Sequence, residues 1–104
     1  MEIFRTKTYR KAVKKLGASE AELKAVEDEI AANPTAGDVI QGTGGARKIR
    51  FAFGGKGKRG AGRAIYVAMI EDDLIYMLMA YSKAERDDLT KDDKDAIKEF
   101  IDEL

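Results

Sequence analysis

Residues 47–53 read Arg-Lys-Ile-Arg-Phe-Ala-Phe, a period-two alternation that marks an extended strand. Ile49, Phe51 and Phe53 point one way, and Lys48, Arg50 and Ala52 the other. The apolar side of such a strand must be covered by other elements. Two cations are then left side by side on the opposite, exposed side. Any fold proposed for this chain has to supply that cover and leave that face open.

The flanking patterns supply the cover. Ile3 and Phe4 predict a short opening strand. From about Thr6, Tyr9, Ala12, Val13 and Leu16 recur at i, i+3, i+4 and i+7, which predicts a helix, and Gly17 suits the position just past its end. Ser19 with Glu22 forms a reciprocal capping box for a second helix, with Leu23, Val26 and Ile30 as its buried stripe and Asn33-Pro34 as its stop. Two helices separated by one glycine predict an antiparallel pair. Gly42-Thr43-Gly44-Gly45 is a loop before the alternating strand, and 54–62 a basic, glycine-rich loop after it. Residues 63–70 and 74–81 predict two further strands, apolar on both faces as central strands are, joined by a tight turn at Glu71-Asp72-Asp73. Asp87 and Asp88 mark a loop. Thr90 caps a last helix, in which Ile97, Phe100, Ile101 and Leu104 again follow helical spacing.

The order β-α-α-β-β-β-α predicts one α+β domain spanning 1–104. It is a small antiparallel β-sheet with two N-terminal helices and one C-terminal helix, packed mainly against one face. A chain of 104 residues has room for one core and not two.

Composition narrows the chemistry. With no cysteine, disulfides and thiolate metal sites are excluded, and with no histidine the commonest acid/base group near neutral pH is missing. Catalysis, if present, rests on Lys, Arg, Tyr, Ser/Thr or carboxylates, and neither a metal nor another cofactor is expected. The opening MEIFRTKTYR reads as neither a signal peptide nor a membrane span, so a cytoplasmic location without membrane association is the expectation.

The formal charge of zero hides a partition. Between Asp38 and Glu71 there is no acid, yet this stretch holds seven bases (Arg47, Lys48, Arg50, Lys56, Lys58, Arg59 and Arg63) and eight glycines. The first 38 residues balance at seven against seven, while the last 34 carry twelve acids against five bases. A segment kept free of carboxylates suits a polyanionic partner, and glycines let its backbone approach closely. Gly55 to Gly60 matches G-x-G-x-x-G, but a strand rather than a helix follows, so the dinucleotide reading is rejected. There is no P-loop.

Phosphate binding is the functional reading of the basic segment; the plain alternative is a solvated hairpin whose lysines serve solubility. Lys48 and Arg50 on one strand, with Arg63 on its neighbour, could surround a single phosphate. Three such cations would stabilise a pentacoordinate transition state, and a lysine crowded by two arginines shifts towards general-base range. The alternative is an RNA-binding face without chemistry, and the pattern leaves both open. Tyr81, near the end of the last strand, could stack on a base or donate a proton, whereas Tyr66 and Tyr76 read as core or core-edge residues. Lys83 is either a phosphate contact or a surface lysine. Glu85 is an acid/base candidate or a partner of Arg86.

These residues resemble a known family. Asn33-Pro34, the stretch GDVIQGTGGARKIR (37–50), the loop GKGKRG (55–60), Arg63 with Tyr66, and Tyr81-Ser82-Lys83 are similar to the HigB-like branch of the RelE toxins of type II toxin–antitoxin systems. The similarity runs through most of the chain and is densest from Asn33 to Leu89. It implies a metal-independent endoribonuclease that enters the ribosomal 30S A site and cuts the mRNA there. The 2′-hydroxyl attacks the adjacent phosphate, and translation is inhibited. A cognate antitoxin, expected to be a HigA-like helix-turn-helix protein, would neutralise it.

Carried over by position, Lys48 and Arg50 match the paired cations of the family strand, and Arg63 the arginine that steadies the phosphate. Arg47, Lys56, Lys58 and Arg59 are implied RNA or ribosome contacts. Two positions depart: Ala84 stands where RelE has an arginine and Thr90 where it has a stacking tyrosine. The proton donor stays open among Lys83, Tyr81 and a loop lysine. The competing classes are a non-catalytic RNA- or ribosome-binding protein, and an inactive toxin acting as a regulator with its antitoxin.

Overall fold

The structure is a computed structural model, and it describes residues 1–54 and 62–104. Lys56, Lys58 and Arg59, with the rest of the glycine-basic loop, lie outside the described residues. Strand β1 (Glu2–Arg5) leads into helices α1 (Lys7–Leu16) and α2 (Glu20–Ala32). Then follow β2 (Asp38–Val39), β3 (Arg47–Phe51), β4 (Gly62–Met69), β5 (Leu74–Ser82) and α3 (Lys91–Asp102). The strands form one sheet in the order β1-β5-β4-β3-β2.

Local chemistry sets the helix ends as the sequence predicts. The Thr6 hydroxyl accepts from the Tyr9 N–H, and Gly17 ends α1 in the left-handed region. Both halves of the Ser19–Glu22 capping box are made, and Thr90 forms the equivalent box with Asp93 at α3. The sheet departs from the expected antiparallel one in a single pairing and gains one short strand. β1 pairs parallel to β5, with Ile3 opposite Ile75 and Phe4 opposite Tyr76. These strands are far apart in sequence, so no hairpin dictates their direction. β2 pairs antiparallel with β3 through two residues, too few to show a period.

The helices occupy both faces, not mainly one. Tyr9, Val13, Leu23, Val26 and Ile30 from α1 and α2 pack on Ile49, Phe51, Ala64, Tyr66, Ile75 and Met77. On the other face Ile97 of α3, with Leu89, covers Ile65, Val67, Leu78 and Tyr81. Central strands that are apolar on both sides require two covering layers. A register shift between Ile65 and Tyr66 leaves Leu78 as the extra residue of a bulge in β5.

The segment before β3 is tied down by one tyrosine. Fully buried Tyr66 accepts from the Gly37 N–H (2.9 Å) and donates to the Pro34 carbonyl (2.8 Å). A Cβ on Gly37 would lie 2.8 Å from the Lys48 carbonyl oxygen and 2.9 Å from the Tyr66 ring. Gly37→Ala should therefore cost about 1–3 kcal/mol, as overpacking of a filled site does. A thermal melt checks this; an unchanged midpoint would show that the segment yields freely. No helix among the described residues is long and apolar enough to cross a membrane.

Candidate functional site

The stretch 37–50, the most specific part of the sequence, delivers β3 to the site. Thr43 is fully buried; its hydroxyl donates to the Ile40 carbonyl (2.8 Å) and accepts from the Ala46 N–H (3.1 Å). The Ile40 N–H closes the turn on the Ala46 carbonyl at 2.9 Å. Gly42, Gly44 and Gly45 all take positive φ, which is why this turn is built from glycine. Ile49 and Phe51 then bury against α2, which turns Lys48 and Arg50 to the α3 side of the sheet.

Cross-strand register completes the arrangement. Arg50 lies opposite Arg63, and Arg63 opposite Tyr81, so one row crosses β3, β4 and β5 on a single face. Lys48, opposite Ile65, lies on the same face about 7 Å along β3. The structure thus brings together Lys48, Arg50, Arg63 and Tyr81. Arg50 is exposed, while Lys48 and Arg63 are partly covered.

The remaining candidates lie elsewhere. Arg47 is on the α1/α2 side, opposite Tyr66, and its guanidinium donates to the Gly37 carbonyl at 2.8 Å. It clamps the segment that Tyr66 also holds, away from the cationic face. Lys83 is exposed beyond the end of β5, with its ammonium 3.2 Å from the Asp87 carbonyl. Glu85 is exposed, and Arg86 pairs with Asp93.

One residue of the face escaped sequence reasoning. Asp88, in the loop before α3, places a carboxylate oxygen 3.6 Å from the Lys48 ammonium. The backbone N–H of Leu89 holds the Asp88 carboxyl below the usual carboxylate range; burial opposes the shift and the Lys48 charge adds to it. Asp87-Asp88 reads from sequence only as a loop, because nothing local indicates which cation a loop acid will meet. The cluster is therefore not purely cationic.

Tyr81 is only 5% exposed, and the Arg86 guanidinium carbon lies 5.7 Å from its ring centroid. A ring so enclosed has little surface for a base to stack on. Burial pushes the Tyr81 phenol up, the Asp88 charge reinforces the rise, and Arg63 and Arg86 oppose it. The phenol is consequently protonated at neutral pH, as a proton donor must be.

The fold is similar to that of a solved structure of the E. coli toxin RelE, an arginine-to-alanine double mutant in the free state. That match has a TM-score of 0.53 and 12% sequence identity, and it covers 83% of this chain and 86% of that one. Residues 1–104 match the model of the family described as the RelE toxin of the RelE/RelB toxin–antitoxin system. The chain belongs to the RelE toxin family.

Proposed function

We propose that this protein is a ribosome-dependent mRNA endoribonuclease of the HigB-like branch, silenced by a HigA-like helix-turn-helix antitoxin. The observation that carries this reading is the row Arg50–Arg63–Tyr81, with Lys48 on the same face. In the proposed reaction a ribose 2′-hydroxyl attacks the adjacent phosphorus, and the bond from phosphorus to the 5′-oxygen breaks. The products are a 2′,3′-cyclic phosphate and a free 5′-hydroxyl. Lys48, Arg50 and Arg63 would hold the charge that gathers on the non-bridging oxygens. Tyr81 would protonate the departing 5′-oxygen. The proton of the attacking hydroxyl would leave to a group of the 30S A site, which would also present the message. Lys83, Lys56, Lys58 and Arg59 remain proposed RNA contacts; Arg47 acts through the segment it clamps.

Primer extension on messages isolated after induction tests this proposal. Discrete cuts inside codons of translated messages are expected. Stalled but intact messages would favour a binder without chemistry, and unimpaired growth would favour an inactive regulator.

A further inference from the structure

Helix α1 carries Lys7, Arg10, Lys11, Lys14 and Lys15 in ten residues and has no acid. All five side chains are exposed. Among the described residues, none of the five makes a side-chain hydrogen bond or ion pair. The other helices behave differently. Lys24 pairs with Asp28, Lys91 with Asp95 and Lys98 with Asp102, each four residues on. In α1 the four-residue neighbours are Lys7 with Lys11, Arg10 with Lys14, and Lys11 with Lys15, all like-charged and mutually repelling. Only the last-turn pair, Lys14 and Lys15, is favoured by the helix dipole. The helix thus carries concentrated charge at some cost to its own stability.

Its position separates this charge from the face that bears Lys48, Arg50 and Arg63. Tyr9 and Val13 bury against the sheet face opposite the one that bears Lys48, Arg50 and Arg63. A phosphate bound on α1 is therefore not one held by Lys48, Arg50 and Arg63. A lipid surface fits poorly, because the apolar stripe a membrane helix would insert is spent on the core. Cations on a solvated helix suit a row of phosphates, which they engage without reading sequence.

We infer that α1 is a second phosphate-backbone docking surface that takes structured RNA, so that the chain is held between two RNA segments on opposite faces. The choice of RNA over other polyanions rests on the function proposed above.

Anisotropy of a fluorescein-labelled 20-base-pair RNA duplex, titrated with full-length protein across a salt series, tests the inference. K11E/K14E should bind at least tenfold more weakly at 150 mM salt, with the slope of log K against log salt reduced by about two. K11Q/K14Q should show a smaller loss in the same direction. Both variants relieve repulsion at exposed positions, so their melting midpoints should equal or exceed that of the wild type. K91A/K98A, which removes two exposed lysines of α3 that pair with acids four residues on, should keep the wild-type duplex affinity and slope. If K48A/R50A still cuts messages while K11E/K14E loses the salt slope, the pocket assignment fails and this one stands. An unchanged slope in K11E/K14E overturns the inference. So does binding to vesicles containing phosphatidylserine in preference to the duplex.

Discussion

Replacing Lys48 and Arg50 together by alanine is expected to abolish growth inhibition on induction while leaving the melting midpoint close to that of the wild type. Both side chains stand on the open part of the α3 side, and the apolar contacts of β3 are made by Ile49 and Phe51 on the other side. Removing one preorganised charge aimed at a developing oxyanion typically slows a reaction by about 10²–10³-fold. Two such losses at one phosphate put cleavage below detection. Lys48→Ala alone should also release Asp88, whose carboxylate then faces the incoming phosphate with no cation between them. The companion variant Asp88→Asn keeps Lys48 and removes that negative charge. Ribosome-programmed cleavage of a defined message measures all three, and a fully toxic K48A/R50A would refute the pocket.

The second large effect is on stability. Arg5, on β1, bridges two glutamates of α2. Its Nε donates to Glu27 at 2.8 Å and a terminal nitrogen donates to Glu20 at 2.7 Å, with a second hydrogen bond to each carboxylate. Glu27 is only 7% exposed and lies beside the Tyr9 phenol, which burial, then the Glu27 charge, pushes well above its ordinary range. Arg5→Ala strands the Glu27 carboxylate in that setting, and a loss of about 2–4 kcal/mol is expected, because an uncompensated buried charge is what makes broken ion pairs costly. Urea denaturation at pH 7 measures it, and R5A/E27Q should regain part of the loss. The sign of the pH dependence follows. Arg5 holds the Glu20 carboxyl below its usual range, so that pair stabilises above the unfolded value and its contribution fades as pH falls. The gap between the two proteins should therefore narrow in acid. A gap that widened in acid would mean that the Arg5–Glu20 pair does not contribute.

What could be read from the sequence follows the range over which each interaction acts. Thr6, Ser19 and Thr90 bond to N–H groups three residues away, so their caps are written locally. The alternation through Ile49 and Phe51 fixes which way Lys48 and Arg50 face. The apolar residues on both sides of β4 and β5 already demanded a second covering layer, and α3 provides it; the one-sided packing expected for the helices overlooked that demand. The direction of β1, the pairing of β2, the Arg47 clamp and the approach of Asp88 to Lys48 join residues distant in the chain. None of these leaves a periodic trace. The glycines of 42–45 signalled a loop, but not that buried Thr43 would staple it so that β3 starts in register.

The parallel pairing of β1 with β5 has a temporal consequence. Residues 2–5 are synthesised well before residues 74–77, in which they find their hydrogen-bonding partner. The sheet therefore stays incomplete until β5 has been made. The face that gathers Arg50, Arg63 and Tyr81 needs the same late strand. A copy halted before Leu74 lacks the strand that carries Tyr81, so its cationic face is unfinished however much of β3 it already holds.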